Sequence, residues 1–238
     1  MTSAPAQPSQ FISRRLLLQG SGAALTMGSC ALRAADAPSH GLEWASFLER
    51  FRPEALALVK EHGLSPASYV RRLSSEILRV RNIPTASLSP IPWMSPAMYF
   101  GMLAMGTPFA VVEWRMEPEA RQPCHDHPNG SVCTLLLEGE LSIENFEIES
   151  GAKQFEDGQA LSLRRTRMER LIPGRTGVLT PQENNLHRLT AGRSGARGID
   201  LNTVHGATSR FGYVNLPAEP GPDGVAAGRW YDPASAQN

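Results

Sequence analysis

Gln122–Gly130 reads QPCHDHPNG, and the apolar run Ser131–Leu137 (SVCTLLL) follows it. Side chains on a β-strand alternate between its two faces, so His125 and His127 can point at one place while Asp126 points away. Two imidazoles at this spacing form half of a metal site. Two surface histidines in a loop would explain the pair as well, so a third ligand from another strand is needed to separate the two interpretations.

A later segment offers that third ligand. Pro181–His187 reads PQENNLH, and the histidine at its end lies sixty residues after His127. A histidine at the start of a second strand can reach the same point as a pair on the first strand. His187 is therefore the candidate partner of His125 and His127.

The segments around these motifs have the pattern of short strands. Glycine (21) and proline (19) are plentiful, and only 19% of the residues are charged. Runs of β-prone residues bounded by Gly, Pro, Asn or Asp predict a sandwich or a small barrel. These runs are 99–104, 109–116, 131–137, 141–148, 160–163, 170–172, 177–180, 187–191 and 197–201.

The two histidine motifs resemble those of cupins. More narrowly, HDHP at 125–128 and NLH at 185–187 are similar to the thiol dioxygenases that include cysteamine dioxygenase and the plant cysteine oxidases. The resemblance covers residues 95–203. It implies a mainly β fold, the cupin double-stranded β-helix or small jelly-roll barrel, with short N-terminal helices added.

The same resemblance implies the chemistry of the site. His125, His127 and His187 would be the three ligands of an iron(II) ion, Fe(2+), and Asp200, which matches an acidic position of the family, would have a catalytic role beside them. The family's reaction joins a thiol and O2 to give a sulfinic acid, so the implied partners are a small thiol substrate and O2. Three neutral imidazoles leave the dipositive charge of the metal to be met by what binds next, which suits a thiolate.

The chain departs from the family at three places. Many cupins have a ligand glutamate four or five residues after the second histidine, where this chain has Ser131 and Val132. The family usually continues after its acidic position with Pro-Pro-Tyr, whereas this chain reads DLNTVHG at 200–206, which affects the substrate pocket more than the iron site. Asn184 replaces a common glycine, and asparagine tolerates that position if the backbone there is left-handed.

Three functions stay open from the sequence. The first is an iron-dependent thiol dioxygenase acting on cysteamine, cysteine, a mercapto acid or an N-terminal cysteine. The second is a cupin that uses another metal on a non-thiol substrate, and the third is a metal-binding cupin without turnover. The cupin fold hosts many functions and does not separate these.

The first 37 residues have the pattern of an export signal. Ser13-Arg14-Arg15 precedes a short apolar run, and small residues up to Ala37 offer cleavage sites, which resembles a twin-arginine signal. We expect a periplasmic protein without stable membrane insertion after signal removal, with lipid attachment through Cys30 as an open alternative. A chance arginine pair in a basic N-terminus is the other interpretation.

The remaining chain divides into three parts. Residues 38–97 are predicted to form short helices and a Pro-rich connector, with Ser65 as N-cap and Pro66 as first helical residue. Residues 98–216 are predicted to form the cupin barrel. Residues 217–238 are rich in Pro, Gly and Ala and are expected to form an irregular tail.

Charge and cysteine content limit the partners. The formal net charge is zero, which gives no support to nucleic-acid binding. Beyond Cys30, Cys124 and Cys133 are too few for a disulfide framework, and a single bridge between them stays open. We expect a monomer.

Overall fold

Strands predominate in the computed structural model, which describes residues 41–60, 63–91, 95–205 and 211–233. The predicted export signal, with Cys30, lies outside these residues. Two helices, α1 (Trp44–Val59) and α2 (Pro66–Ile77), precede most of the strands. The strands are β1 (Leu42–Glu43), β2 (Val80–Arg81), β3 (Ser89–Ile91), β4 (Ser95–Gly106), β5 (Phe109–Met116), β6 (Arg121–His125), β7 (Gly130–Gly151), β8 (Ala160–Leu171), β9 (Thr176–Leu179), β10 (Leu186–Val204), β11 (Tyr213–Asn215) and β12 (Val225–Tyr231).

The strand pairing folds one sheet back on itself. Its order is β3-β4-β5-β10-β6-β11-β12-β8-β7-β9, and an additional pairing joins β10 to β7. The long strand β10 pairs with β7 along both of its halves, with β6 beside its first half and β5 beside its second. This closure produces the double-stranded β-helix of a cupin. The prediction of a mainly β cupin barrel with short N-terminal helices is confirmed.

Two glycines bend the longest strands without ending them. Gly139 in β7 (φ +74°) and Gly195 in β10 (φ +76°) both have left-handed backbones. A Cβ added at Gly139 would lie 2.1 Å from the carbonyl oxygen of Gly195, so the two backbones meet too closely for any side chain. The sequence predicts two short strands within 131–148 and two within 187–201. In the structure, each pair is one bent strand.

The helices cover the outer face of one wall of the barrel. Phe47 and Phe51 of α1 and Tyr69 of α2 are fully buried against that wall, where Ile199 and Leu201 of β10 meet them. The α2 helix begins as predicted, because the Ser65 side chain accepts a hydrogen bond from the Ser68 backbone N–H and Pro66 follows the cap. Helix α1 runs through Pro53 without a break.

The inner face of the same wall is lined by the alternate residues. Gly198 sits against Trp114, with an added Cβ only 2.5 Å from the indole ring. Trp114 packs in a second buried cluster with Leu136, Leu141 and Leu189. Because side chains alternate along a strand, Asp200 points to this inner side, opposite Ile199 and Leu201.

The C-terminal segment differs from the irregular tail that was expected. Strand β12 lies within it and pairs with β8 through Val225–Arg229. Trp230 is buried in a third cluster with Phe146 and Leu163, and its indole N–H donates to the Ala152 carbonyl oxygen at 3.0 Å. This segment therefore contributes to the barrel and its core.

Both cysteines of the described chain are free thiols. Cys124 packs in the third cluster, and Cys133 packs beneath the helices in the first. Burial raises the pKa of each thiol above its ordinary value. The disulfide that the sequence left open is not formed.

No helix in the described part of the chain combines the length and apolar character needed to cross a membrane.

Candidate metal centre

The end of β6, the connection that follows it and the start of β10 bring the predicted histidines together. His125 is the last residue of β6, His127 follows two residues later, and His187 lies near the start of β10, directly opposite His125 in the pairing. The Nε2 atoms of His125 and His127 are 3.1 Å apart, those of His125 and His187 are 3.1 Å apart, and those of His127 and His187 are 3.2 Å apart. The three nitrogens form a nearly equilateral triangle.

Hydrogen bonding fixes which nitrogen of His125 faces the triangle. Its Nδ1 lies 2.9 Å from the Pro123 carbonyl oxygen, which can only accept a hydrogen bond. Nδ1 therefore carries the proton and Nε2 presents a lone pair to the other two histidines. The Nε2 atoms of His127, His187 and, at 3.5 Å, Gln122 lie within hydrogen-bond distance of His125 Nε2.

The histidines are held in their neutral form. Burial lowers the pKa of His125 to about 4, against the hydrogen bond to Pro123, which raises it. Burial, followed by the neighbouring histidines, also lowers the pKa of His127 and His187 well below the usual range. Neutral imidazole is the form that binds metals.

The geometry and chemistry of this donor set fit a metal ion. At a typical imidazole nitrogen to metal bond of about 2.1 Å, two ligands at right angles place their nitrogens about 3.0 Å apart. The observed edges of 3.1 to 3.2 Å are close to that spacing. These three residues are also the cluster of potential ligand atoms found among the described His, Cys, Asp and Glu residues.

Two asparagines of the second motif support the first. The Asn185 side-chain oxygen accepts from the backbone N–H of His127 at 2.5 Å. Asn184 has a left-handed backbone (φ +59°), as anticipated for a residue in place of glycine, and its carbonyl oxygen accepts from the Asn145 side chain at 3.2 Å. The segment 184–187 thus orients His127 while it supplies His187.

Asp126 points away from the histidines, as the alternation predicted, and holds another segment. Its Oδ1 accepts from the Gly212 backbone N–H at 2.5 Å, and its own backbone N–H donates to the Gly212 carbonyl oxygen at 3.0 Å. Phe211 and Tyr213, the neighbours of that glycine, reach the histidines. Burial raises the pKa of Asp126 to about 6, and its hydrogen bond with Gly212 opposes that rise.

Aromatic rings border the cluster on one side. The Tyr213 ring stacks on His125 with centroids 5.6 Å apart, and the Phe211 ring meets His127 edge-on at 5.2 Å. Neither Phe211 nor Tyr213 is among the site residues predicted from the sequence. Neither residue belongs to a recognisable motif, and both lie more than twenty residues after His187.

Asp200 lies apart from the triangle. The Thr134 hydroxyl donates to its Oδ1 at 2.6 Å. Burial raises the pKa of Asp200 to about 6; the Thr134 hydrogen bond opposes the rise, as does the indole N–H of Trp114, which lacks a hydrogen bond of good geometry among the described residues. Asp200 is not part of the potential ligand cluster and lies beside Thr134 and Trp114 instead.

A surface cleft of about 730 Å³ contains none of these residues. Its walls include Arg121, Arg170 and Glu140, and the last two form an ion pair. We assign it no part in the site.

Comparison with known proteins supports the resemblance. Residues 93–201, somewhat less than half of the chain, match the model of the family described as PCO_ADO, a thiol dioxygenase family. All three histidines and Asp200 fall within the match. No curated protein matches the chain in sequence.

Solved structures resemble the chain only distantly. KdgF from Halomonas sp. is 16% identical, with 50% of this chain and 86% of that chain covered and a TM-score of 0.37. The Cnp3 cupin domain of Schizosaccharomyces pombe is 13% identical over 52% and 72%, with a TM-score of 0.37. An RmlC-like cupin from Shewanella frigidimarina is 13% identical over 52% and 91%, with a TM-score of 0.36. At these identities and TM-scores, the three structures give no information about the function of this chain.

The family match and the three-histidine cluster, taken together, support a thiol dioxygenase relationship for residues 93–201 of this cupin-fold chain.

Proposed function

We propose that the chain is an iron(II)-dependent thiol dioxygenase that converts a small thiol, or an N-terminal cysteine, to a sulfinic acid. The overall change is R–SH plus O2 giving R–SO2H, in which both oxygen atoms end on sulfur and no external reductant is needed. The observation that carries the proposal is the buried triangle of neutral Nε2 atoms with no carboxylate among them.

His125, His127 and His187 would hold the iron. Iron(II) bound there would supply the activation of dioxygen and a positively charged point at which a thiolate binds. The protein's own part is to keep the imidazoles neutral, through burial and the Pro123 carbonyl, and to fix their orientation. With no anionic ligand from the protein, the net charge of the site favours an anionic substrate atom, which a thiolate provides.

Asp200 would influence which thiol is accepted. Its carboxylate points to the barrel interior and is held by Thr134. When ionised, it favours a substrate with a positively charged amine and disfavours one with an extra carboxylate. In this proposal Asp200 orients the substrate's amine, as in cysteamine or the N-terminus of a peptide.

Oxygen uptake tests the proposal. The full chain is loaded anaerobically with iron(II) and mixed with cysteamine, cysteine, a mercapto acid and a Cys-initiated peptide, and sulfinate is detected by mass. We expect iron-dependent uptake with sulfinate as product, and faster turnover of the amine-bearing thiols without a carboxylate. Bound iron with no uptake for any thiol would contradict the proposal and favour another metal and substrate, or a metal-binding role alone.

We also propose that the protein acts in the periplasm as a monomer. The proposal of export rests on the twin-arginine-like stretch at 13–15 and the small residues that end at Ala37.

A further inference from the structure

Gly212 and Tyr213 attach the segment Phe211–Tyr213 to the histidine motif. Gly212 exchanges two hydrogen bonds with Asp126, one through the carboxylate and one through the backbone. The following residues pair with β6, Tyr213 opposite His125 and Val214 opposite Cys124. Asp126 is only 5% exposed, so its carboxylate acts as a buried acceptor for one backbone N–H.

The backbone at Gly212 lies too close to its neighbours to carry a side chain. A Cβ there would lie 2.5 Å from the Trp230 ring and 2.8 Å from the Phe155 Cβ. Trp230 and Phe155 thus lie against the same backbone that Asp126 holds by hydrogen bonds. These contacts fix the residue between the two aromatic rings.

The two rings differ in a way that distinguishes their roles. Tyr213 is 4% exposed and stacks on His125, as a supporting residue would. Phe211 is 48% exposed although its ring edge touches His127. Phe211 therefore offers an apolar ring to solvent beside the histidine cluster, where an apolar group of a bound ligand could contact it.

We propose that Asp126 is a positioning residue that holds Phe211 beside the histidine cluster, and that Phe211 determines specificity by contacting an apolar group of the substrate next to its thiol. The part that concerns the thiol rests on the proposed function. The buried carboxylate orders the segment before any ligand binds, so the Phe211 ring is available without the cost of ordering a loop.

Hydrogen exchange of the metal-free full chain tests the positioning role. Asp126→Ala removes the acceptor, and we expect exchange of the Gly212, Tyr213 and Val214 amides to become at least about tenfold faster. Asp126→Asn keeps an oxygen acceptor and should restore exchange to within about threefold of the wild type. Asp223→Ala is the matched control, because Asp223 accepts from the Val225 backbone N–H in an exposed turn.

The control should leave residues 212–214 unchanged. Unchanged exchange at these amides in folded Asp126→Ala protein would overturn the positioning role. Failure of Asp126→Asn to rescue a fast-exchanging Asp126→Ala protein would also overturn it, since the role requires only an acceptor.

Thiol binding tests Phe211. The full chain is loaded with cobalt(II), and the affinities of cysteamine and 2-phenylethanethiol are measured from the thiolate absorption band. Phe211→Ala should weaken phenylethanethiol binding about tenfold, equivalent to about 1.4 kcal/mol, and change cysteamine binding less than about twofold. Phe211→Leu should recover part of the loss, and Met168→Ala, at an exposed residue of β8, should change neither.

Equal changes for both thiols, or no change for either, would overturn the specificity role. This result is distinguishable from failure of the proposed function. If Phe211 discriminates the thiols but no sulfinate forms, the inference stands and the dioxygenase proposal fails. If sulfinate forms but Phe211→Ala changes neither thiol affinity, the dioxygenase proposal stands and the specificity role of Phe211 fails.

Discussion

His187 joins the second histidine motif to the first at the candidate metal centre. Its Nε2 lies 3.1 Å from that of His125 and 3.2 Å from that of His127, and the Asn184–Asn185 turn that precedes it also binds the His127 backbone. The alternation of side chains predicted that His125 and His127 share a face. It did not predict that Asn185 would orient one of them, because a side-chain to backbone bond across two strands leaves no periodic signal.

Replacing His187 tests the metal site. His187→Ala removes one ligand of three, and we expect iron(II) affinity to fall at least about 100-fold. His205→Ala is the control, because His205 bonds to Ser131 outside the cluster. Iron content after dialysis, measured by elemental analysis, gives the result; equimolar iron retained by folded His187→Ala protein would contradict the assignment.

The buried Asp200 carboxyl makes stability depend on pH. Burial raises its pKa from 3.8 to about 6, so the folded protein binds a proton that the unfolded chain releases more readily. The stability associated with this proton is fully present below about pH 4 and is lost as pH rises through about 6. The Asp200→Asn variant does not lose this stability as pH rises, because an asparagine side chain does not titrate.

Urea unfolding of the metal-free protein measures the effect. From pH 4 to pH 7, the free energy of unfolding of Asp200→Asn should rise relative to the wild type by about 1 to 3 kcal/mol. A difference between the two proteins that stays constant across this range would mean that Asp200 does not titrate as its surroundings indicate.

At the scale of elements, the glycine bends of β7 and β10 were the least predictable feature. Sequence reasoning placed strand ends near Gly139 because glycine ends many strands. Whether a glycine ends a strand or bends it depends on what approaches its backbone, here the Gly195 carbonyl oxygen from another strand. The β5 range 109–116 and the Ser65 cap were predicted correctly, because both depend on local sequence.

Alanine substitutions at two glycines distinguish the stability cost of the close approach from the stability cost of backbone strain. Gly139 and Gly174 have similar positive φ values, +74° and +78°, but only Gly139 would clash, since nothing lies within 4 Å of a Cβ at Gly174. Gly174→Ala should cost about 1 to 2 kcal/mol of stability. Gly139→Ala should cost at least about 2 kcal/mol more.

Urea denaturation of both variants gives the two values. Equal costs would mean that the strands separate to admit a methyl group and that the bend does not require glycine at Gly139.

At the scale of the whole molecule, the site combines segments that are far apart in sequence. The strand pairing brings residues 125–127, 187 and 211–213 together, and only the first two sets carry motifs. The third set was missed because it carries no motif, and strand β12 was missed because the Pro- and Gly-rich residues 217–224 before it are typical of an irregular tail. The buried Trp230 identifies the C-terminal segment as part of the core.

Export is also a property of the whole molecule. If the stretch at 13–15 is a twin-arginine signal, replacing Arg14 and Arg15 together by Lys should retain the protein in the cytoplasm of a bacterial host, because the signal is read by a receptor. Arg33→Lys keeps the pair and is the control. Cell fractionation measures the outcome, and periplasmic recovery of the double variant would contradict export by this route.

The proposed function requires that both atoms of O2 are transferred to the sulfur of a thiol at the three-histidine centre. Isotopically heavy dioxygen, ¹⁸O₂, traces this transfer in iron-loaded full-length protein with the best thiol of the uptake panel. We expect a sulfinate that carries two heavy oxygen atoms, formed by the wild type and not by His187→Ala. A product without label, or with one of its oxygen atoms taken from water, would contradict it.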